Sequence, residues 1–305
     1  MKLHIQQHLN NKKAAFSTAR LTPFLYIAPI FILLILFLLM PLGTAFVKSF
    51  YRYDGLRMNE FIGFGNYVTL AKDPVFRKSM GNLFFFLLGM HLSLGTTIAA
   101  AKQVHLLTGA RMQYFMRSVF IVPMVVPSVV GMMLWKFIYY PNIGVVARIA
   151  QAFNWGSPNL LGSSATVIPA IISVGFPWIA GLNFILIYSA LQSIDPALIE
   201  AARLDGASTL KTFFKVELPV ISGQIKALYI LAIIGQFQEY ERVLLLTGGG
   251  PANASLIPGL HMYNVTFAIG SEAQYGYGCA IAVVLFILTL TLSKLLLGFG
   301  EKEGA

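Results

Sequence analysis

Apolar residues fall along this chain in runs of about 20, separated by short polar stretches, and a run of that length crosses a hydrocarbon core of about 30 Å as an α-helix. Six such runs are legible, at residues 24–47, 83–101, 118–139, 165–188, 227–246 and 279–299. Strands of a membrane barrel would alternate over about 10 residues, and these runs do not. The pattern predicts an all-α fold, a polytopic membrane bundle of about six transmembrane helices. One membrane domain spans residues 24–299, between a tail of residues 1–23 and a second tail of residues 300–305. The third run carries Pro123 and Pro127, and the fourth carries Pro169, Gly175, Pro177 and Gly181. Carbonyls freed at membrane depth persist only where protein or a water-filled cavity satisfies them. A bundle lining a pathway accounts for these breaks, as do ordinary proline kinks between packed helices.

The longest polar stretch, residues 192–224, has the order of a built element. Asp195 is a good N-cap, Pro196 suits the first helical position, and Ile194 can staple to Ile199. The helix that starts there runs to about Asp205 and ends at Gly206, the residue best able to adopt the left-handed conformation of a helix terminus. Ser208 or Thr209 can cap a second short helix through Lys211 and Val216, which Pro219 is expected to stop.

The chain has 305 residues, 57% apolar and 11% charged, against about a quarter charged in soluble domains, so its solvent is lipid. The net charge of +10 does not mark a nucleic-acid binder, because Lys and Arg are scattered between apolar runs rather than clustered on one module. They report topology instead. Lys2, Lys12, Lys13 and Arg20 precede the first run, and an even number of crossings puts both termini on the cytoplasmic side. Lys102, Arg111, Arg117, Arg203, Lys211, Lys215, Lys226, Lys294 and Lys302 then fall in cytoplasmic segments. Lys48, Arg52, Arg57, Lys72, Arg77 and Lys78 share the first external loop, which makes the positive-inside bias modest. The first run is longer than a signal h-region and no A-x-A site follows it, so it is read as an anchor. Cys279, the single cysteine, excludes an internal disulfide framework and any CxxC cluster.

Glu200-Ala201-Ala202, three residues, Gly206, nine residues, then Val216, Glu217, Leu218 and Pro219 resembles the EAA loop of ABC importer permeases. Val216 alone departs, replacing isoleucine. The stretch Phe61 to Tyr67 (FIGFGNY), with Asp73, Pro74, Phe76 and Asn82, is similar to the first external loop of carbohydrate permeases of the maltose and glycerol-phosphate type. Thr247 to Asn253 (TGGGPAN), with Tyr263, Phe267 and Tyr275 to Gly278, is similar to their last external loop, and favours the first permease subunit of a pair. The resemblance implies a type I importer fold in the bacterial inner membrane. It also implies a heterodimer with a second permease, two ATP-binding-cassette ATPase subunits, an extracytoplasmic binding protein and a sugar or oligosaccharide moved by alternating access. Carried over by position, Glu200 would make the polar contact with the ATPase, Ala201, Ala202 and Gly206 would allow close approach beside Asp205, and Val216, Leu218 and Pro219 would close the motif onto the bundle. ATP and Mg2+ would sit on the partner ATPases, since the chain has no GxxxxGK[ST] and binds no cofactor of its own. No metal cluster or catalytic set is expected.

For substrate, the end of the fifth run is unexpectedly polar, with Gln236, Gln238, Glu239, Tyr240, Glu241 and Arg242. At helical spacing Gln236, Glu239 and Tyr240 share one face that suits a carbohydrate. The other reading has Glu239, Glu241 and Arg242 pairing with each other at the water interface. Trp178, Asn183 and Tyr188 in the fourth run are further pathway candidates, against an aromatic belt and a helix-to-helix hydrogen bond. His91 reads as hydrogen-bonded packing. Lys136, Arg148 and Arg242 would favour an anionic, uronate-type sugar. Two rival classes stay open: an ion-driven secondary transporter, which needs coupling-ion sites and often internal repeats, and an intramembrane enzyme.

Overall fold

The computed structural model describes residues 26–56, 58–179, 181–267 and 273–301. The tail at residues 1–23 lies outside them, as do Phe24, Arg57 and residues 302–305. Helix α1 (Tyr26–Lys48) leads into a small antiparallel hairpin, β1 (Tyr51–Tyr53) and β2 (Asn59–Phe61), with Tyr51 opposite Phe61. Helix α2 (Gly65–Lys72) and the long α3 (Pro74–Leu106) follow, then α4 (Ala110–Ile121), α5 (Ser128–Ile138), α6 (Val145–Ala152) and α7 (Val167–Ile172). Next come α8 (Gly181–Gln192), α9 (Pro196–Leu204), α10 (Thr209–Val220) and α11 (Ser222–Gln238). The chain closes with α12 (Glu241–Thr247), α13 (Pro258–Phe267) and α14 (Tyr275–Glu301).

Helices α1, α3 and α14 are long and apolar enough to cross a membrane unbroken, and up to three more crossings are bent pairs. The third run breaks where expected: Pro123 sits in a 3-10 turn, Pro127 caps α5, and the two halves meet at 96°. The fourth run divides into α7 and α8. Between them Gly175 and Trp178 take left-handed φ values of +84° and +59°. The freed backbone is not left bare. The Trp178 carbonyl accepts from the Ser93 hydroxyl at 2.9 Å, and the indole N–H of Trp178 donates to the Ile172 carbonyl at 2.7 Å.

Two expectations are corrected. Pro219 does not stop the second loop helix, because a π turn at Phe213–Glu217 shifts the bonding register, with Leu218 N–H donating to Phe213 O, and α10 runs on to Val220. The fifth run was expected as one helical face to Leu246, yet α11 ends at Gln238, Glu239 is extended with ψ 132°, and Tyr240 has φ −149°. Tertiary contact explains the break. A Cβ on Gly259, at the start of α13, would stand 2.5 Å from the Glu239 carbonyl, so α13 seats its backbone directly against the interrupted segment.

Helix α3 is the axis, packed against α7, α8, α11 and α13, while α14 packs against α1, α2, α11 and α13. Leu83, Ile233, Phe237, Tyr277 and Ile281 fill the space between α3, α11 and α14. Ala100, Ala101, Val104, Phe184, Ile187 and Leu191 form a second cluster under the 192–224 loop. From Asn82 to Lys102, α3 advances roughly 30 Å at about 1.5 Å per residue, so polar groups at these two positions face opposite edges of a bilayer.

Candidate functional site

The 192–224 loop folds as a capped helical hairpin. The Asp195 carboxylate accepts from Ala197 N–H at 2.9 Å, and Ile194 and Ile199 enter the same apolar cluster. At the other end of α9, Gly206 has φ +78°, its N–H reaches Arg203 O, and Ala207 N–H reaches Ala202 O, both at 3.0 Å. This is the Schellman arrangement, and it requires the glycine. Ser208 caps α10, its hydroxyl accepting from Lys211 N–H at 3.3 Å. The inner face, with Ile194, Phe213 and Ile221, is buried, and Val216 and Leu218 are half-buried beside it. The outer face carries Glu200, Ala201, Asp205 and Pro219, all exposed, with Ala202 half-buried. It also bares Leu204, 89% exposed, and Leu210, 68% exposed.

About 12–24 Å along α3 from Lys102, on the rise of about 1.5 Å per residue, a second element takes shape. A cavity of about 470 Å3 lies between α3, the α7–α8 break, α8 and α11, and is lined by Trp178, Asn183, Gln236, Glu239 and Arg242 among others. Five of the residues singled out in the sequence thus meet: Trp178, Asn183, Gln236, Glu239 and Arg242. Tyr240 is not in that lining. With the helix broken at Glu239 it turns onto Tyr263, ring to ring at 5.2 Å. Tyr188 sits near the loop, buried, stacked on Phe184, with the Arg117 guanidinium over its ring at 5.4 Å. Of the pairing among Glu239, Glu241 and Arg242, one part forms. Glu239 accepts from Arg242 N–H at 3.1 Å and lies 3.7 Å from its guanidinium, while Glu241 accepts from the Ser128 hydroxyl instead.

Arg242 also lies over Phe86 at 5.6 Å. Its Nε and the Gln236 Nε2 are buried without a hydrogen-bond partner. Of the basic residues considered for an anionic sugar, Arg242 lines this cavity. Lys136 reaches the Leu245 carbonyl instead, and Arg148 is exposed on α6. His91 is engaged in packing: Nδ1 donates to the Leu87 carbonyl at 3.0 Å, leaving Nε2 to accept from Tyr229 at 2.8 Å.

The edge opposite the loop is held by side chains that satisfy backbone. Asn66 Nδ2 donates to Ser49 O and Tyr51 O, and Asn82 Nδ2 to Asn253 O and Leu256 O. Asp73 caps α3 through Val75 N–H and accepts from Tyr277 at 2.6 Å and His261 at 2.9 Å. Burial by itself would push the Asp73 carboxyl up, but the hydrogen bonds from Tyr277, His261 and the Val75 and Phe76 backbone outweigh it and hold its pKa below the ordinary value. A lowered folded pKa means this latch stabilises the fold above about pH 4 and loses that stabilisation as pH falls through the folded value. Thermal midpoints should therefore drop on acidification below about pH 4, and Asp73→Asn should flatten that limb. An unchanged acid limb in Asp73→Asn would count against the latch. In the sequence Asp73 and Asn82 stand out only within the resemblance to carbohydrate permeases, because their partners lie far along the chain and leave no local signal.

The model of the family described as binding-protein-dependent transport system inner membrane component matches residues 92–299. The multiple sugar-binding transport system permease protein MsmF of Streptococcus mutans is 31% identical over 275 residues, covering 89% of this chain and 92% of that protein. The diacetylchitobiose uptake system permease protein NgcF of Streptomyces coelicolor is 28% identical over 293 residues, covering 88% of this chain and 81% of that protein. In fold, the chain resembles one from the crystal structure of a bacterial ABC transporter involved in the import of the acidic polysaccharide alginate, with a TM-score of 0.84, 19% identity and coverage of 96% and 100%. The matched region runs from the middle of α3 to the end of α14 and contains the loop and most of the cavity wall. This chain belongs to the family of binding-protein-dependent transport system inner membrane components, as a permease subunit of an ABC importer.

Proposed function

We propose that the chain is the first permease of a heterodimeric importer for a sugar or oligosaccharide, with the 192–224 loop on the cytoplasmic side. In this reading both termini are cytoplasmic, an extracytoplasmic binding protein delivers substrate from the opposite side, and two ATPase subunits carry ATP and Mg2+. The observation that carries it is the outer face of the loop. A capped hairpin that exposes Leu204 and Leu210 around Glu200 has the mixture of apolar anchors and charge found where partners dock. Docking that differs between ATP-bound and ATP-free partners would then shift the bundle between two conformations. Co-purification in mild detergent tests it: an ATP-hydrolysing subunit and a second permease should accompany the chain, and their absence overturns it. Uptake that continued without ATP and collapsed with the proton gradient would point to an ion-driven carrier instead.

The cavity supports a sugar as cargo. Trp178 offers an aromatic face, while Asn183, Gln236 and Glu239 offer the amide and carboxylate groups that hydroxyls need. The Arg242 guanidinium in the cavity lining favours an acidic oligosaccharide, and a chain of similar fold belongs to a transporter involved in the import of an acidic polysaccharide. Arg242→Gln should reduce uptake of uronate oligosaccharides by about tenfold and leave neutral sugars little changed, the worth of one charge-assisted contact. Equal loss for both classes would remove charge as the discriminator.

A further inference from the structure

The buried ion pair between Lys102 and Glu217 has no role in the function described so far. Lys102 Nζ lies 2.7 Å from Glu217 Oε1 and 2.5 Å from Oε2, with side chains 10% and 2% exposed. Removing two charges from water costs heavily, and apolar residues of similar volume commonly stabilise a fold as well or better. Stability alone therefore gives little reason for the pair, and its position suggests another. Lys102 stands on α3, whose other turns supply Phe86, Gly89 and Ser93 to the cavity wall. Glu217 closes the π turn of α10, and π turns of this kind recur at functional sites. Phe213, the first residue of that turn, lies under the Lys102 ammonium at 5.7 Å.

The loop hairpin is otherwise joined to the bundle through bends. Helix α9 leaves α8 at 68°, and α10 meets α11 at 71° around Ile221. Apolar contacts through Phe213, Ile194 and Ile221 can slide, whereas the buried ammonium held by both Glu217 oxygens resists separation of α10 from α3. His105, one turn along α3, is the further titratable group that senses both charges. We infer that Lys102 and Glu217 are positioning residues that clamp the loop to α3, so that displacement of the loop by its partner moves the cavity wall. This rests on the loop being the ATPase-docking element.

The test uses the complete complex, with ATPases and binding protein, reconstituted in vesicles, and reads substrate taken up per ATP hydrolysed. Lys102→Met with Glu217→Leu deletes the pair without leaving a buried lone charge. Assembly should persist while uptake per ATP falls about tenfold, within the range by which coupling residues act. Glu217→Gln, which keeps shape and one hydrogen bond, should fall by less, about threefold. The exchange Lys102→Glu with Glu217→Lys should recover most of the coupling. A purely structural pair would lower the yield of complex but leave uptake per ATP unchanged in what assembles. Wild-type uptake per ATP in either the apolar double variant or Glu217→Gln overturns the clamp alone. Failure of the wild-type chain to bind an ATPase overturns the docking function together with it.

Discussion

Glu200→Lys is expected to leave the chain inserted and folded while weakening its hold on the ATPase by about tenfold or more, the effect of losing one hot-spot contact. Glu200 is exposed on α9, and among the described residues its carboxylate has no hydrogen bond or ion pair, so reversing its charge removes little that the isolated fold needs. Gly206→Val should act differently. A Cβ there would meet nothing within 4 Å, but at φ +78° a β-branched residue costs roughly 1–2 kcal/mol and undoes the turn that sets α9 against α10. ATP hydrolysis in the assembled complex should then persist with transport reduced. Pull-down in mild detergent alongside vesicle uptake separates the two. Normal association of Glu200→Lys, with normal uptake, would show that the outer face of α9 is not the docking surface.

Asn82→Leu should produce the larger loss of stability. Its amide donates to Leu256 O at 2.8 Å and Asn253 O at 3.1 Å, tying the TGGGPAN loop to α3. Leucine fills similar space but leaves both carbonyls short of a donor, at about 1–3 kcal/mol each where no water enters. Asn82→Asp keeps the shape and points an acceptor at two acceptors, so it should melt no higher than Asn82→Leu. Thermal denaturation of the purified chain, followed by tryptophan fluorescence, reads the difference. An Asn82→Asp chain as stable as the wild type would mean that the tether carries no weight.

Much of the loop was legible because its determinants are local. Asp195, Pro196, Gly206 and Ser208 act within a few residues of themselves, through capping and the steric limits on φ, and each does so in the structure. The cavity was legible only in part. Gln236 and Glu239 were placed on one face by helical spacing, yet they meet Trp178 and Asn183 across a helix break, and the same break carries Tyr240 away to Tyr263. Nothing near Glu239 announces that break. It depends on the bare backbone of Gly259, on another helix.

By itself the sequence determined the lipid solvent, the apolar runs, the proline breaks and the capped hairpin of residues 192–224, since hydropathy and backbone sterics act over one or two turns. Tertiary structure alone decided which distant groups meet: Lys102 with Glu217 across 115 residues, and the Asp73 carboxylate with the His261 ring across 188. A buried charge must find its counter-charge wherever packing brings one close, and that closeness is a property of the assembled bundle rather than of any short stretch of chain.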